Sequence, residues 1–121
     1  MNVDFLYLND GSTTYTEDKK ECLNITGNSK RYFRIENRVI EAESYKVLCS
    51  QYEIRTLDEN TKLRELKCSK IRVIHFTYEN DTFVYLGTFI KETKKTPQNI
   101  IDKNNKRIER YMEQKRGNNN E

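Results

Sequence analysis

Residues 70–112 (KIRVIHFTYENDTFVYLGTFIKETKKTPQNIIDKNNKRIERYM) constrain the fold more tightly than any other stretch. Residues 71–78 and 83–90 are rich in β-branched and aromatic side chains and flank Glu79-Asn80-Asp81-Thr82, which predicts an antiparallel hairpin. With Asn80 and Asp81 as the turn, Tyr78 faces Phe83, Phe76 faces Tyr85 and Arg72 faces Phe89. Alternation then puts Ile71, Val73, His75 and Thr77 with Val84, Leu86, Thr88 and Ile90 on a core face. The opposite face carries Arg72, Ile74, Phe76, Tyr78, Phe83, Tyr85, Phe89 and Lys91. Its Arg72 end mixes cations with rings and is the candidate binding region.

The second strand runs into Lys91-Glu92-Thr93-Lys94-Lys95-Thr96-Pro97. Thr96 suits an N-cap and Pro97 the first helical position, where its fixed φ helps and its missing N–H would have gone unbonded. In the helix that follows, Ile100, Ile101, Ile108, Tyr111 and Met112 fall on one arc, with Asn104 and Asn105 admitted to it. Lys103, Lys106, Arg107 and Arg110 lie roughly opposite. Residues 88–121 hold nine Lys/Arg against five acids, while the rest of the chain holds thirteen against fourteen. Cation density is therefore concentrated in the loop and last helix, as either a solvated face or a phosphate-binding surface.

The 121 residues predict one domain over 1–116, with 117–121 a disordered tail by composition. A mean hydropathy of −0.98 with 34% charged residues leaves room only for a thin core, such as a small sheet covered by a few helices. Upstream, residues 3–8 read as a short strand, Asn9-Asp10-Gly11-Ser12 as a turn, and a helix is expected to follow Thr16, with Glu17 and Asp18 in its first turn and Gly27 ending it. A second helix is expected from Asn28 or Ser29 to about Glu43, forming an α-hairpin, with Arg31, Arg34 and Arg38 clustered on one side. Residues 45–48 and 51–57 read as extended, and alternation brings Arg55 to the sheet face of Arg72. The expected order is β-α-α-β-β-β-α. In residues 58–69, Leu63 and Leu66 fit either a strand extension or a helical turn.

Cys22, Cys49 and Cys68 have no C-x-x-C spacing and no apolar span precedes them, so reduced thiols in a cytoplasm are expected, with no membrane association. His75 is the sole histidine and falls on the core face, where a lone histidine is more often structural than catalytic. No metal site or cofactor is expected. What remains is the cationic group of Arg55, Arg72, Lys91, Lys94 and Lys95, with Arg34 or Arg38. Such a group can bind backbone phosphates and stabilise the phosphorane formed when a ribose 2′-OH attacks the adjacent phosphate. Equally, Arg55 and Arg72 can pair with Glu53 or other carboxylates.

The runs Tyr52-Glu53-Ile54-Arg55, Ile71-Arg72-Val73-Ile74-His75-Phe76 and Leu86-Gly87-Thr88-Phe89-Ile90-Lys91-Glu92-Thr93-Lys94-Lys95-Thr96-Pro97, with the helix over 100–111, resemble the RelE/ParE toxin superfamily. The similarity is to its phage-derived, HigB-like branch and covers about the last seventy residues. The resemblance implies an α+β fold: a small, twisted, mainly antiparallel sheet with an N-terminal α-hairpin and a C-terminal helix. It also implies a type II toxin neutralised by a cognate antitoxin, expected to be a helix-turn-helix protein, and a ribosome-dependent, metal-independent mRNA endonuclease activity. The alternatives are a ParE-like gyrase inhibitor and a non-toxic phage nucleic-acid-binding protein. Carried onto this chain, the catalytic positions are Arg55, Arg72 and Lys91, and the RNA-binding positions Lys94, Lys95, Arg34, Arg38 and Lys106. Glu53 stands where RelE-type nucleases tend to carry a lysine, Gln98 and Asn99 lie near where some members supply a tyrosine, and an Asp-Tyr-His ending is absent. The general acid and base are left unassigned.

Overall fold

The computed structural model describes residues 2–26, 53–68 and 71–119. The elements are β1 (Asn2–Phe5), α1 (Thr14–Thr26), β2 (Glu53–Asp58), β3 (Leu63–Cys68), β4 (Ile71–Tyr78), β5 (Thr82–Ile90) and α2 (Gln98–Asn119). The expected second helix, the extended segment at 45–48, Arg34 and Arg38 all lie outside the described residues. The five strands form one mixed sheet in the order β1-β5-β4-β3-β2, with β1 parallel to β5 and every other pairing antiparallel. The α+β class and the mainly antiparallel sheet are as expected. Residues 63–68, which the sequence left between two readings, are a central strand.

The 71–90 hairpin forms with a shifted register. Tyr78 pairs with Thr82, so the turn holds three residues, and Glu79 (φ 52) and Asn80 (φ 63) take left-handed conformations. Phe76 therefore faces Val84, not Tyr85, because a one-residue slip exchanges the faces of every side chain involved. An irregularity at Ile74/His75, where Leu86 is the extra residue on β5, cancels the slip, and Arg72 faces Phe89 as expected. Between turn and bulge, Phe83 and Tyr85 join Val73, while Val84 and Leu86 join Ile74 and Phe76.

Both sheet faces are buried, which corrects the expectation of one core face and one functional face. On one face, Leu66, Ile71, Val73, Phe83 and Tyr85 pack with Tyr15 and Cys22 of α1. On the other, Leu63, Ile74, Phe76, Val84 and Leu86 pack with Ile108 and Tyr111 of α2. The Tyr111 ring meets Phe76 and Tyr78 edge-on at 5.6 and 5.4 Å, a favoured aromatic geometry. His75 is fully buried near Phe83 and Tyr85, in keeping with a structural role.

Strand β1 pairs with β5 only as far as Tyr85, and helix α1 takes over that edge. Thr13 caps the helix, its Oγ1 accepting the Thr16 N–H at 3.0 Å, so α1 starts at Thr14, ahead of the start expected after Thr16. Thr14 Oγ1 donates to Leu86 O at 2.6 Å and Asp18 Oδ2 accepts the Thr88 N–H at 3.2 Å, satisfying edge groups that β1 leaves unpaired. Arg107 then closes on Asp18 with two bonds, Nη1 to Oδ2 at 2.7 Å and Nη2 to Oδ1 at 3.1 Å, and also donates to Leu86 O. Arg107 thus faces inward, against the helical-wheel expectation. A buried carboxylate on the neighbouring element outweighs the solvation a guanidinium would gain outside. A Cβ on Gly87 would collide with Asp18, Arg107 and Asn104, so glycine is needed for this close approach.

Helix α2 begins at Gln98, within two residues of Pro97 as expected, and Pro97 O accepts its first N–H groups from Ile100 and Ile101. The helix is pinned along its length: Asn105 Nδ2 donates to Asp58 Oδ2 at 2.9 Å, and Tyr111 OH to Asp4 Oδ2 at 2.6 Å. It continues to Asn119, into the segment expected to be a disordered tail.

Burial lowers the His75 pKa to about 4. The unfolded chain, titrating near 6.5, then binds the proton more readily than the folded one. This contribution to stability is complete above pH 6.5 and is lost as pH falls through about 4; it amounts to about 3 kcal/mol. Denaturant titrations from pH 7 to 4 should show wild type losing about that much more than His75→Leu. Asp18→Ala should cost on the order of 3–5 kcal/mol in the same measurement at pH 7, the usual range for a broken buried ion pair.

Candidate functional site

Register alone assembles the site. Arg55 pairs with Glu65 and Glu65 with Ile74, while Glu53 pairs with Lys67, Lys67 with Arg72 and Arg72 with Phe89. Cross-strand partners share a face, so Arg55, Glu65, Lys67 and Arg72 project to the side that α2 covers. Helix α2 packs over the Phe76 end of that face, through Ile108 and Tyr111, and the Arg72 end opens into a cleft. The cleft has a volume of about 270 Å³ and is lined by Glu53, Arg55, Glu65, Lys67, Arg72, Lys91, Thr93 and Lys94. Five cations face two carboxylates, so the cleft carries a net positive charge.

The cations differ in how firmly they are held. Arg72 is only 8% exposed, and its Nη1 donates to Ile71 O at 3.2 Å. The Lys91 side chain is also 8% exposed, its Nζ lying 3.3 Å from Glu65 Oε1. Arg55 and Lys94 are exposed at the rim. Lys67 pairs with Glu53 at 3.6 Å in a solvent-exposed bridge worth little on its own. An inner layer of Arg72 and Lys91 is therefore preorganised, and an outer layer can adjust to a ligand.

Four of the residues singled out from sequence, Arg55, Arg72, Lys91 and Lys94, come together in this cleft. Lys95 is exposed and not part of the lining, although its carbonyl accepts the Thr93 hydroxyl at 2.6 Å within the same loop. Lys106 is exposed on α2 and also outside the lining. The charged lining residues that the sequence reading did not single out as site residues include Lys67 and, more deeply placed, Glu65. Glu65 is 2% exposed, and its Oε2 accepts the Thr96 hydroxyl at 2.7 Å while Oε1 faces Lys91. Thr96 thus anchors the basic loop to β3 instead of capping α2. The signal for Glu65 was its place in Leu63-Arg64-Glu65-Leu66. Leu63 and Leu66 are buried on opposite faces, so their spacing mimics a helical turn and hides the alternation that puts Glu65 beside Arg55.

A second cavity of about 340 Å³ lies between α1, the end of β5 and the start of α2, with Cys22, Phe89, Pro97 and Ile100 in its wall. Burial pushes the Cys22 thiol up to about 11, which leaves little thiolate at neutral pH. The cationic cleft is the cavity that gathers the charged side chains singled out from sequence.

The model for the phage-derived protein Gp49-like family (DUF891) matches residues 34–109. The chain belongs to this family. It is a RelE-like toxin family of type II toxin-antitoxin systems, so the chain is a toxin-like or toxin-antitoxin-related protein, consistent with a cognate antitoxin partner. Every residue lining the cationic cleft of this Gp49-like chain falls inside the matched span. No curated protein matches the chain. Among the described residues, no helix is long and apolar enough to cross a membrane.

If the cleft engages a phosphodiester backbone, binding of a single-stranded oligoribonucleotide should weaken linearly in log–log terms with added salt. Lys94→Ala should reduce that slope by roughly 0.7, the counterion release of one single-strand phosphate contact. Fluorescence anisotropy across a salt series measures it, and an unchanged slope would remove Lys94 from the interface.

Proposed function

We propose that this Gp49-like protein is a toxin of the HigB-like branch, acting as a ribosome-dependent, metal-independent mRNA endonuclease. The observation that carries the reading is the convergence of Arg55, Arg72, Lys91 and Lys94 in one cleft, with its two inner cations held in place. Cleavage by the adjacent 2′-OH needs stabilisation of charge developing on the phosphorane oxygens, and fixed cations in a partly desolvated cleft are suited to that task. Arg72 is assigned two non-bridging oxygens, because its planar fork matches them. Lys91 supplies a compact point charge, and Arg55 and Lys94 hold flanking phosphates, which positions the strand without reading its bases. Lys95, Lys106, Arg34 and Arg38 are assigned to the wider contact with RNA.

Arg72→Ala should lower single-turnover cleavage of a programmed ribosome by about 10²- to 10³-fold at saturating protein, the scale for removing one preorganised donor. Arg72→Lys should recover only part of the loss, since it keeps the charge and loses the fork. Lys106→Ala should weaken ribosome association modestly and leave the chemical step nearly unchanged. Thermal unfolding of each variant separates lost chemistry from lost fold. A folded Arg72→Ala protein cleaving at the wild-type rate would overturn the assignment. No cleavage by wild type, with DNA synthesis halting before protein synthesis on induction in a sensitive bacterium, would move the reading to gyrase inhibition.

A further inference from the structure

Glu65 is the feature of the cleft that phosphate binding does not explain. A carboxylate among phosphate-binding cations repels the ligand and lowers ground-state affinity. It also occupies a nearly solvent-free position, which is costly for a charged group unless that group is well bonded. The Thr96 hydroxyl at 2.7 Å and the Lys91 ammonium at 3.3 Å supply those bonds. Each engages a different oxygen, leaving further lone pairs on a carboxylate that lines the cleft wall. The other carboxylate in the lining, Glu53, is exposed at the strand edge and bridged to Lys67.

We propose that Glu65 is the general base of the cleavage reaction and Lys91, its ion-pair partner, the general acid. This assignment rests on the endonuclease reading of the same cleft. Glu65 accepts the proton of the ribose 2′-OH as the O2′–P bond forms. The Lys91 ammonium gives a proton to O5′ as the P–O5′ bond breaks, leaving a 2′,3′-cyclic phosphate and a 5′-hydroxyl. Direct transfer from Glu65 to Lys91 across their 3.3 Å contact then restores both starting states. The pairing also removes the apparent conflict with phosphate binding: Glu65 becomes neutral as the phosphorane reaches its highest negative charge, so the repulsion present in the ground state is relieved in the transition state.

The test is single-turnover cleavage of a programmed ribosome against pH, using wild type, Glu65→Gln and Lys91→Ala, with thermal unfolding alongside. Glu65→Gln keeps the shape and a partner for Thr96. It should slow cleavage by about 10²- to 10⁴-fold and abolish the fall in rate toward acid pH that the proposal expects of wild type. It should also bind a non-cleavable 2′-O-methyl oligoribonucleotide at least as tightly as wild type, because a negative charge has left the cleft. An mRNA with sulfur in place of the bridging O5′ needs no proton on its leaving group, so it should restore the proton-transfer part of the Lys91→Ala loss, leaving the loss of its charge, and leave Glu65→Gln slow. Should Glu65→Gln fail to fold, Glu65→Asp, which retains a withdrawn carboxylate, should be slower than wild type with the acid limb intact. Wild-type cleavage matched by Glu65→Gln, or a slow Glu65→Gln that keeps the acid limb, would overturn this assignment alone. No cleavage by wild type would overturn the endonuclease reading and this assignment together.

Discussion

The bidentate contact between Asp18 and Arg107, seated over Gly87, fixes the relation of the three elements that bound the rest of the structure. Asp18 belongs to α1, Arg107 to α2, and both also bond β5, through Thr88 N and Leu86 O. A sheet buried on both faces needs a helix on each side, yet hydrophobic packing is tolerant of sliding along a surface. A planar guanidinium meeting a carboxylate is not, because both bonds demand one orientation. The ion pair therefore sets the position of α2 on the sheet, and with it where helix cover stops and the open cleft begins.

That boundary explains why the cleft can be cationic. Strand ends beneath α2 must be apolar to pack, and they are: Ile74, Phe76, Val84 and Leu86. One residue pair beyond Ile74, the same face carries Arg72, and the neighbouring strands contribute Arg55 and Lys67. Five cations in a confined space repel one another, and the buried carboxylate of Glu65 offsets part of that repulsion while holding Lys91 and the basic loop. The site is thus not a patch of loose surface charge. Its inner groups are rigid because they are bonded to β3 and β4, and rigidity separates a group that stabilises a transition state from one that merely attracts a polyanion.

The span matched by the family model covers the whole lining of the cleft. Membership places the chain in a RelE-like toxin family, whereas the chemistry has to be argued from its own side chains. Among those side chains is the Glu65–Lys91 pair, and Glu65 sits in a segment that a reading of strands from hydrophobic alternation passes over.

Much was legible in the sequence because it depends on local periodicity and turn chemistry: the 71–90 hairpin, the Asn9–Ser12 turn, the helix after Pro97, and the convergence of Arg55 with Arg72. What failed depended on contacts between distant elements. The sequence could not reveal that β5 is apolar on both faces, since alternation carries no information when both sides are core, and the register of Phe76 slipped for that reason. Nor could it tell that Arg107 turns inward to Asp18, or that Thr96 serves Glu65 instead of its own helix. Each of those side chains has a satisfactory local role and a better partner far along the chain. The sequence by itself determined which residues carry charge and, outside residues 63–68, which strands they ride on; only the tertiary structure decided which charges meet, because pairing energy depends on distances that folding sets.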